Sequence, residues 1–256
     1  MITKKEVISE YKKYCELFNS VAKEKSGGII TAFDKANAEA VSEKLCSGSD
    51  MFLGYYNPSL VYDLVVGNVH RGRLLTRVTK RTKPTHRYRF DDKNRLLTMV
   101  EIPEQGMENI DDRAVAFYEN DSVIIVHFSC SKNSTSTNVI AQCVFDDENR
   151  IVKFTVGEMV CNRCSFVTQE SYSYSQQGVV SVCIWECCYI TDSMLEMFSN
   201  PIGITVNTDD LNRHICQVNR YSFYHDDDGY IVKYDAVDKN GESTTYEIAK
   251  SKRRKV

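Results

Sequence analysis

Three groups of residues have types and spacings suited to chemistry or recognition: a set of cysteines, a series of acidic turns and a run of bases. Cys161-Asn162-Arg163-Cys164 has a spacing used by zinc sites, and Cys187-Cys188 returns to the same rim two strands later, with Cys130 placed beside them by the turn count. Four thiolates, from Cys161, Cys164, Cys187 and Cys188, would be enough for a tetrahedral ion. Adjacent cysteines on a strand point to opposite faces, so metal-free thiols are the favoured reading and no cofactor is expected.

The acids recur at turns. Asp91, Asp92, Glu119, Asp121, Asp146, Asp147, Glu148, Asp226, Asp227 and Asp228 would line one rim of a sheet, a row able to dock a basic protein and steer its approach. The competing reading is local: Asp and Asn favour hairpin turns because their side chains bond the nearby backbone. No twelve-residue calcium loop accompanies them. Opposed to the acids, residues 71–89 hold Arg71, Arg73, Arg77, Lys80, Arg81, Lys83, Arg87 and Arg89 and no acid. Of these Arg77, Lys80, Arg81, Arg87 and Arg89, next to Tyr88 and Phe90, form a candidate RNA or phosphate surface working by charge and stacking. A basic edge strand that blocks sheet-to-sheet aggregation is the plainer alternative.

Other chemistry finds no motif. The chain has no phosphate loop, dinucleotide fingerprint, His-Glu-x-x-His or Gly-x-Ser-x-Gly, and its five histidines are scattered. An enzyme is therefore not the expected reading, although an active site assembled only in the fold is invisible to motifs. The net charge of −3 gives no bulk drive toward nucleic acid or membrane. The first residues lack the apolar core of a secretory signal and no run is long enough to span a bilayer, which sets a cytosolic expectation with reduced thiols.

The elements that must position these groups follow from periodicity. Residues 3–25 carry apolar side chains at helical spacing, with Thr3 and Glu6 as a capping box and Gly27-Gly28 as the stop. A second helix is expected over 32–46, with Thr31 as its cap and Phe33, Ala36, Ala40 and Val41 as its apolar stripe, completing a helical hairpin. Leu60–Val66 reads as a buried strand or two helical turns, with the strand favoured, and Asp192–Phe198 as a short helix. Beyond Val69 the chain reads as β-structure, with turns near Lys93, Asn120, Glu148, Gln177 and Asp228, a period near 28 residues. A second turn series falls at 104–106, 132–136, 162–163 and 191–193. Two interleaved series mean an up-and-down meander of about ten strands. Leu97, Met99, Val152, Phe154, Val156, Val232, Tyr234 and Ala236 share the apolar parity, while Thr98, Lys153, Thr155, Lys233 and Asp235 take the wet one.

Three of these hairpins resemble the YD repeat of Rhs and teneurin-type shells. Tyr88, Phe90, Asp91, Arg95 and Leu96 match its pattern, as do Phe145, Asp146, Arg150 and Ile151, then Asp226, Gly229 and Ile231. His225 and Tyr230 depart from it, and the copies are dispersed where a shell would have them in tandem. By analogy the resemblance implies an immunity or antitoxin protein that accompanies such shell toxins.

The sequence thus leads to an α+β expectation: an N-terminal helical hairpin over 1–50, packed on an antiparallel β-meander over 51–249 that is an open curved sheet or a partly closed barrel, and a basic tail over 250–256. The tail is either a nuclear-import signal or a solvated end. The functional expectation is a non-catalytic cytosolic protein-binding protein, an immunity type that occludes a basic toxin domain through the acidic rim, with no membrane partner. One alternative is RNA or phosphate binding through 71–89. Another is an apolar ligand, or an active site, on a concave face lined by Tyr88, Phe90, Phe154 and Tyr234.

Overall fold

The computed structural model describes residues 2–47, 59, 61–66, 73–78, 83–102, 111–131, 134–176, 178–190, 213–237, 241–250 and 253. The expected turns at 104–106, 132–133 and 191–193, the helix over 192–198, Lys80, Arg81 and most of the basic tail lie outside them.

Among the described residues the protein is mainly β, which corrects the α+β expectation: thirteen strands follow two helices. The first helix, α1 (Lys4–Ser26), forms as its periodicity predicts. Thr3 N–H and Oγ1 both donate to Glu6 Oε2, at 2.6 and 2.8 Å, and Glu6 N–H returns a bond to Thr3 Oγ1, so the orphan donors of the first turn are satisfied reciprocally. These contacts hold the Glu6 carboxyl below its usual range. The second helix, α2 (Ile29–Glu39), starts at Gly28 instead of Thr31 and is three turns long.

Residues expected to continue α2 instead form strand β1 (Ser42–Ser47). Its backbone pairs with β3 (His86–Phe90), Ser42 opposite Phe90 through Cys46 opposite His86, and with β2 (Arg73–Leu74). Val41, assigned to the apolar stripe, is 66% exposed. The paired backbone outweighs a helical preference of a few tenths of a kcal/mol per residue. Where the strand was favoured over helical turns, Val61–Val66 is a π-helical turn, with Val61 and Leu64 buried.

The remaining strands are β4 (Leu96–Glu101), β5 (Asp111–Tyr118), β6 (Ser122–Cys130), β7 (Thr135–Phe145), β8 (Ile151–Val160), β9 (Arg163–Ser175), β10 (Gly178–Tyr189), β11 (His214–His225), β12 (Ile231–Val237) and β13 (Ser243–Glu247). The chain divides into two compact units, 20–154 and 1–19 with 155–256. In the first, strand order is β2-β1-β3-β4-β5-β6-β7; in the second, β9 to β13 follow chain order after β8. Both are antiparallel meanders, as the interleaved turns predict.

In the 20–154 unit, β6 is buried on both faces from Ser122 to Phe128. α2 covers part of the sheet: Phe33 meets Phe128 edge-on at 5.9 Å, and Asn37 Oδ1 accepts a bond from Thr98 Oγ1 at 2.6 Å. Thr98 is therefore buried, against its expected wet parity, because a helix lies on that face. Tyr88 and Phe90 are fully buried, and Phe154 is buried too. They are packed core, and so do not line a ligand surface. His127 is buried near His86, and burial first, then that neighbour, pull its pKa down to about 4.

In the other unit Lys4–Asn19 of α1, about four and a half turns, packs on the sheet. Tyr11 hydroxyl donates to Ser165 O at 3.2 Å and its ring meets His214 edge-on at 5.4 Å; Tyr14 packs against Trp185. Asn19 Oδ1 accepts the Cys164 N–H at 2.8 Å. Beneath the helix, Trp185 Nε1 donates to Gln169 Oε1 at 3.1 Å and Gln169 Nε2 to Thr155 Oγ1 at 3.2 Å, a buried polar chain across β10, β9 and β8. Thr155, expected on the wet side, is thereby 1% exposed. Gly157 lets the helix approach: a Cβ there would overlap the Phe18 ring and come within 3.0 Å of Cys164 Sγ. Tyr234 is buried in this unit, stacked on Tyr246 at 5.1 Å.

Gly157→Ala is expected to destabilise the protein by about 1–3 kcal/mol in urea unfolding, and Phe18→Ala in the same chain to cost less than the sum of the two changes. A strictly additive pair would show that the two do not meet. His127 gives a pH dependence of known sign. Its folded pKa, about 4, lies below the unfolded value of 6.5, so the unfolded chain binds the extra proton and stability falls as pH drops from 6.5 to 4. The loss is on the order of 3 kcal/mol, and the unfolding midpoint of His127→Gln should fall less over that window.

Candidate functional site

The three Asp-led hairpins share one local design. At β3–β4, Asp91 N–H donates to Arg95 O at 3.0 Å and Asn94 N–H to Asp91 O at 3.1 Å. At β7–β8 the same two bonds join Asp146 with Arg150 and Asn149 with Asp146, each at 2.9 Å; at β11–β12, Asp226 with Tyr230 and Gly229 with Asp226, also at 2.9 Å. The fourth residue has positive φ each time, 58° at Asn94, 60° at Asn149 and 81° at Gly229, which is why only Asn or Gly stands there.

The leading carboxylate closes the turn. Asp91 Oδ1 accepts from Lys93 and Arg95 N–H at 3.0 and 2.7 Å, Asp146 Oδ1 from Glu148 and Arg150 N–H at 3.0 and 2.8 Å, and Asp226 Oδ1 from Asp228 and Tyr230 N–H at 3.2 and 2.9 Å. The second oxygen of Asp91 takes Arg95 Nε at 2.7 Å and that of Asp146 takes Arg150 Nε at 2.8 Å; in the third turn Arg253 approaches Asp226 at 3.8 Å. Burial works to raise Asp91, but the Arg95 N–H and guanidinium outweigh it and hold the carboxyl below its usual range. For Asp146 the Arg150 N–H is the leading cause of the same shift. These three aspartates are occupied by their own turns.

The acids that follow them are different. Asp92, Asp147, Glu148, Asp227 and Asp228 are exposed, as are Glu119 and Asp121 at the β5–β6 turn. Glu148 pairs with Arg150 at 2.7 Å, and Glu119 accepts a bond from Ser122 Oγ at 3.4 Å. In the 20–154 unit the β3–β4, β5–β6 and β7–β8 turns fall on one end of consecutive hairpins, since each joins an odd strand to the next even one. At the ordinary strand spacing neighbouring turns are about 10 Å apart. That end holds Asp92, Glu119, Asp121, Asp147 and Glu148, with Lys93 and Arg95 among them. Arg95 lies 4.6 Å over the Tyr118 ring. Asp226, Asp227 and Asp228 belong to the other unit.

The basic strand is built into the sheet. β3 has β1 on one side and β4 on the other, so it is not the edge strand of the aggregation-blocking alternative. Arg87 Nε and Arg89 Nε lie 3.5 and 3.2 Å from the two carboxylate oxygens of Glu43, which pairs opposite Arg89 on β1. Both guanidinium groups therefore share one carboxylate, which offsets part of their charge, while staying partly exposed. Arg77 is exposed in a loop after β2.

The four cysteines weighed for zinc are not brought together. Cys161 is exposed at the β8–β9 turn, with φ of 50°. Cys164 lies against Cys15 of α1, Cys187 faces Cys216 on β11, and Cys188 takes the opposite face of β10, opposite Ile215. Among the described residues no group of three His, Cys, Asp or Glu side chains could hold a metal ion. No sequence spacing points to Cys15 or Cys216 as partners of these cysteines. Cys15 does sit on the apolar stripe of α1, but the register that opposes Cys216 to Cys187 is set across a long intervening segment.

No family model matches the chain, and no curated protein does. Among solved structures, a porin-like protein from Bacteroides vulgatus is similar at 10% identity, covering 82% of this chain and 97% of that one, with a TM-score of 0.27. A porin-like protein from Bacteroides uniformis is similar at 11% identity over 64% of this chain and 86% of that one, with a TM-score of 0.21. Likeness at this level carries no argument about function. Among the described residues no helix is long and apolar enough to cross a membrane.

The turn design makes an ordered expectation. Asp91→Ala should lower the unfolding midpoint most, Asp91→Asn less because an amide oxygen still accepts the two N–H groups, and Asp92→Asn not measurably. Equal effects of Asp91→Ala and Asp92→Asn in thermal unfolding would contradict this division of labour.

Proposed function

We propose that the chain is a non-catalytic, cytosolic protein-binding protein whose 20–154 unit docks a basic partner at the end bearing Asp92, Glu119, Asp121, Asp147 and Glu148. One observation supports the reading: the turn-forming aspartates are occupied by backbone and arginine, while the acids beside them remain exposed in a row. Asp92, Asp121 and Asp147 close no turn, Glu119 and Glu148 keep exposed carboxylates although they also meet Ser122 and Arg150, and several acids spaced about 10 Å apart act on a cationic surface together. An immunity type, which neutralises a basic toxin domain by covering it, is the most concrete form of the proposal. RNA or phosphate binding through Arg87 and Arg89 has less support, because Glu43 already faces both.

The test is association of the full chain with a basic protein that co-purifies from its source cell. The triple change Asp92→Asn, Asp121→Asn, Asp147→Asn should slow association about tenfold at low salt, and added salt should erase the difference. Unchanged association by the triple variant, or retention of nucleic acid instead of protein in native mass spectrometry, would overturn the reading.

A further inference from the structure

The cysteines that failed as a metal site form another arrangement in the 1–19 and 155–256 unit. Cys187 and Cys216 are direct partners in the antiparallel register of β10 and β11, and their sulfurs are 3.0 Å apart. Directly opposed residues have Cα atoms about 4.5–5.5 Å apart, inside the range a disulfide spans. The two side chains thus already meet as a cross-link requires, and closing the bond needs about 1 Å of sulfur movement.

The two thiols differ in access. Cys187 is fully buried, on the strand parity of Trp185, the ring that packs against Tyr14 of α1. Burial, followed by the contact with Cys216, pushes the Cys187 thiol well up, so it keeps its proton. Cys216 is only half-buried, between exposed Ile215 and exposed Gln217. Among the described residues β12 pairs with β11 only from Arg220 to His225, so the half of β11 that carries Cys216 has β10 as its paired strand and meets α1 where Tyr11 packs on His214. That half begins where the chain returns from β10, at the Ile190 N–H to Arg213 O bond of 2.7 Å.

We propose that Cys187 and Cys216 are a peroxide-oxidisable dithiol that closes into a reversible disulfide and pins the start of β11 to β10. The Cys216 sulfur, as thiolate, attacks one oxygen of hydrogen peroxide; the S–O bond forms, the O–O bond breaks, and hydroxide leaves to become water with the released proton. The Cys187 sulfur then attacks the Cys216 sulfenic sulfur; the S–S bond forms, the S–O bond breaks, and the departing hydroxide takes the Cys187 proton as a second water. Two thiols lose two protons and two electrons, peroxide gains them to become two waters, and a dithiol reductant reverses the oxidation. This inference is independent of the docking proposal and concerns the other unit.

The experiment treats the full chain with hydrogen peroxide, alkylates it under denaturing conditions and maps its peptides by mass. The expected result is a Cys187–Cys216 cross-linked peptide lighter by two hydrogens, lost on treatment with dithiothreitol, with an oxidised chain that melts several degrees higher than the reduced one. Cys216→Ser should abolish both the cross-link and the melting shift, while Cys188→Ser keeps both. Recovery of Cys187 and Cys216 fully alkylated after peroxide, or a cross-link joining Cys15 to Cys164 in their place, would overturn the proposal. The wild-type peptide map decides the matter even if a variant fails to fold.

Discussion

An aspartate that accepts two backbone N–H groups across a hairpin turn is the interaction on which much of the remaining structure depends. In a sheet whose side chains alternate with a period of two, a slip of one residue turns every core side chain outward. Asp91, Asp146 and Asp226 prevent that slip by bonding the second and fourth N–H groups after them, and a left-handed Asn or Gly completes the turn. The register so fixed places Met99, Phe154 and Tyr234 in the core. It also leaves Asp92 and Asp147, the acids next to two of these aspartates, exposed.

The helices act on this sheet by covering polar as well as apolar groups. Thr98 would face water on an uncovered strand, yet Asn37 of α2 takes its hydroxyl. Thr155 and Gln169 hand their polarity along to Trp185 beneath α1. A buried chain of this kind is tolerable only because each member is satisfied, and it ties adjacent strands together at places where a purely apolar contact would be less specific. Gly157 belongs to the same arrangement, since the absence of a side chain there is what lets Phe18 reach the sheet.

The same register logic explains the cysteines. Adjacent Cys187 and Cys188 are sent to opposite faces by the strand, which excludes a shared metal, and one of them is set directly against Cys216. A spacing that resembles a zinc motif in the chain becomes, after pairing, a two-thiol contact on one face and a separate thiol on the other. Arg87 and Arg89 undergo a comparable change: a run of bases in sequence becomes, once β1 lies beside β3, a pair of guanidinium groups around Glu43.

The local features are legible in the chain alone, because each depends on a few consecutive residues. α1 and its Thr3–Glu6 box, the three acidic turns with their Asn or Gly, and the alternation that makes an antiparallel meander were all legible. Tertiary structure decided whatever required a distant partner. Ser42–Ser47 became a strand because β3 offered it a backbone edge, which ended the second helix at Glu39 where a helix to residue 46 was expected. Thr98 and Thr155 were buried because helices lie over them. Cys216 met Cys187 because pairing across 29 positions brought them opposite. Local propensities amount to tenths of a kcal/mol per residue, whereas an unpaired buried backbone group costs several times more, so the long-range partner prevails wherever the two disagree.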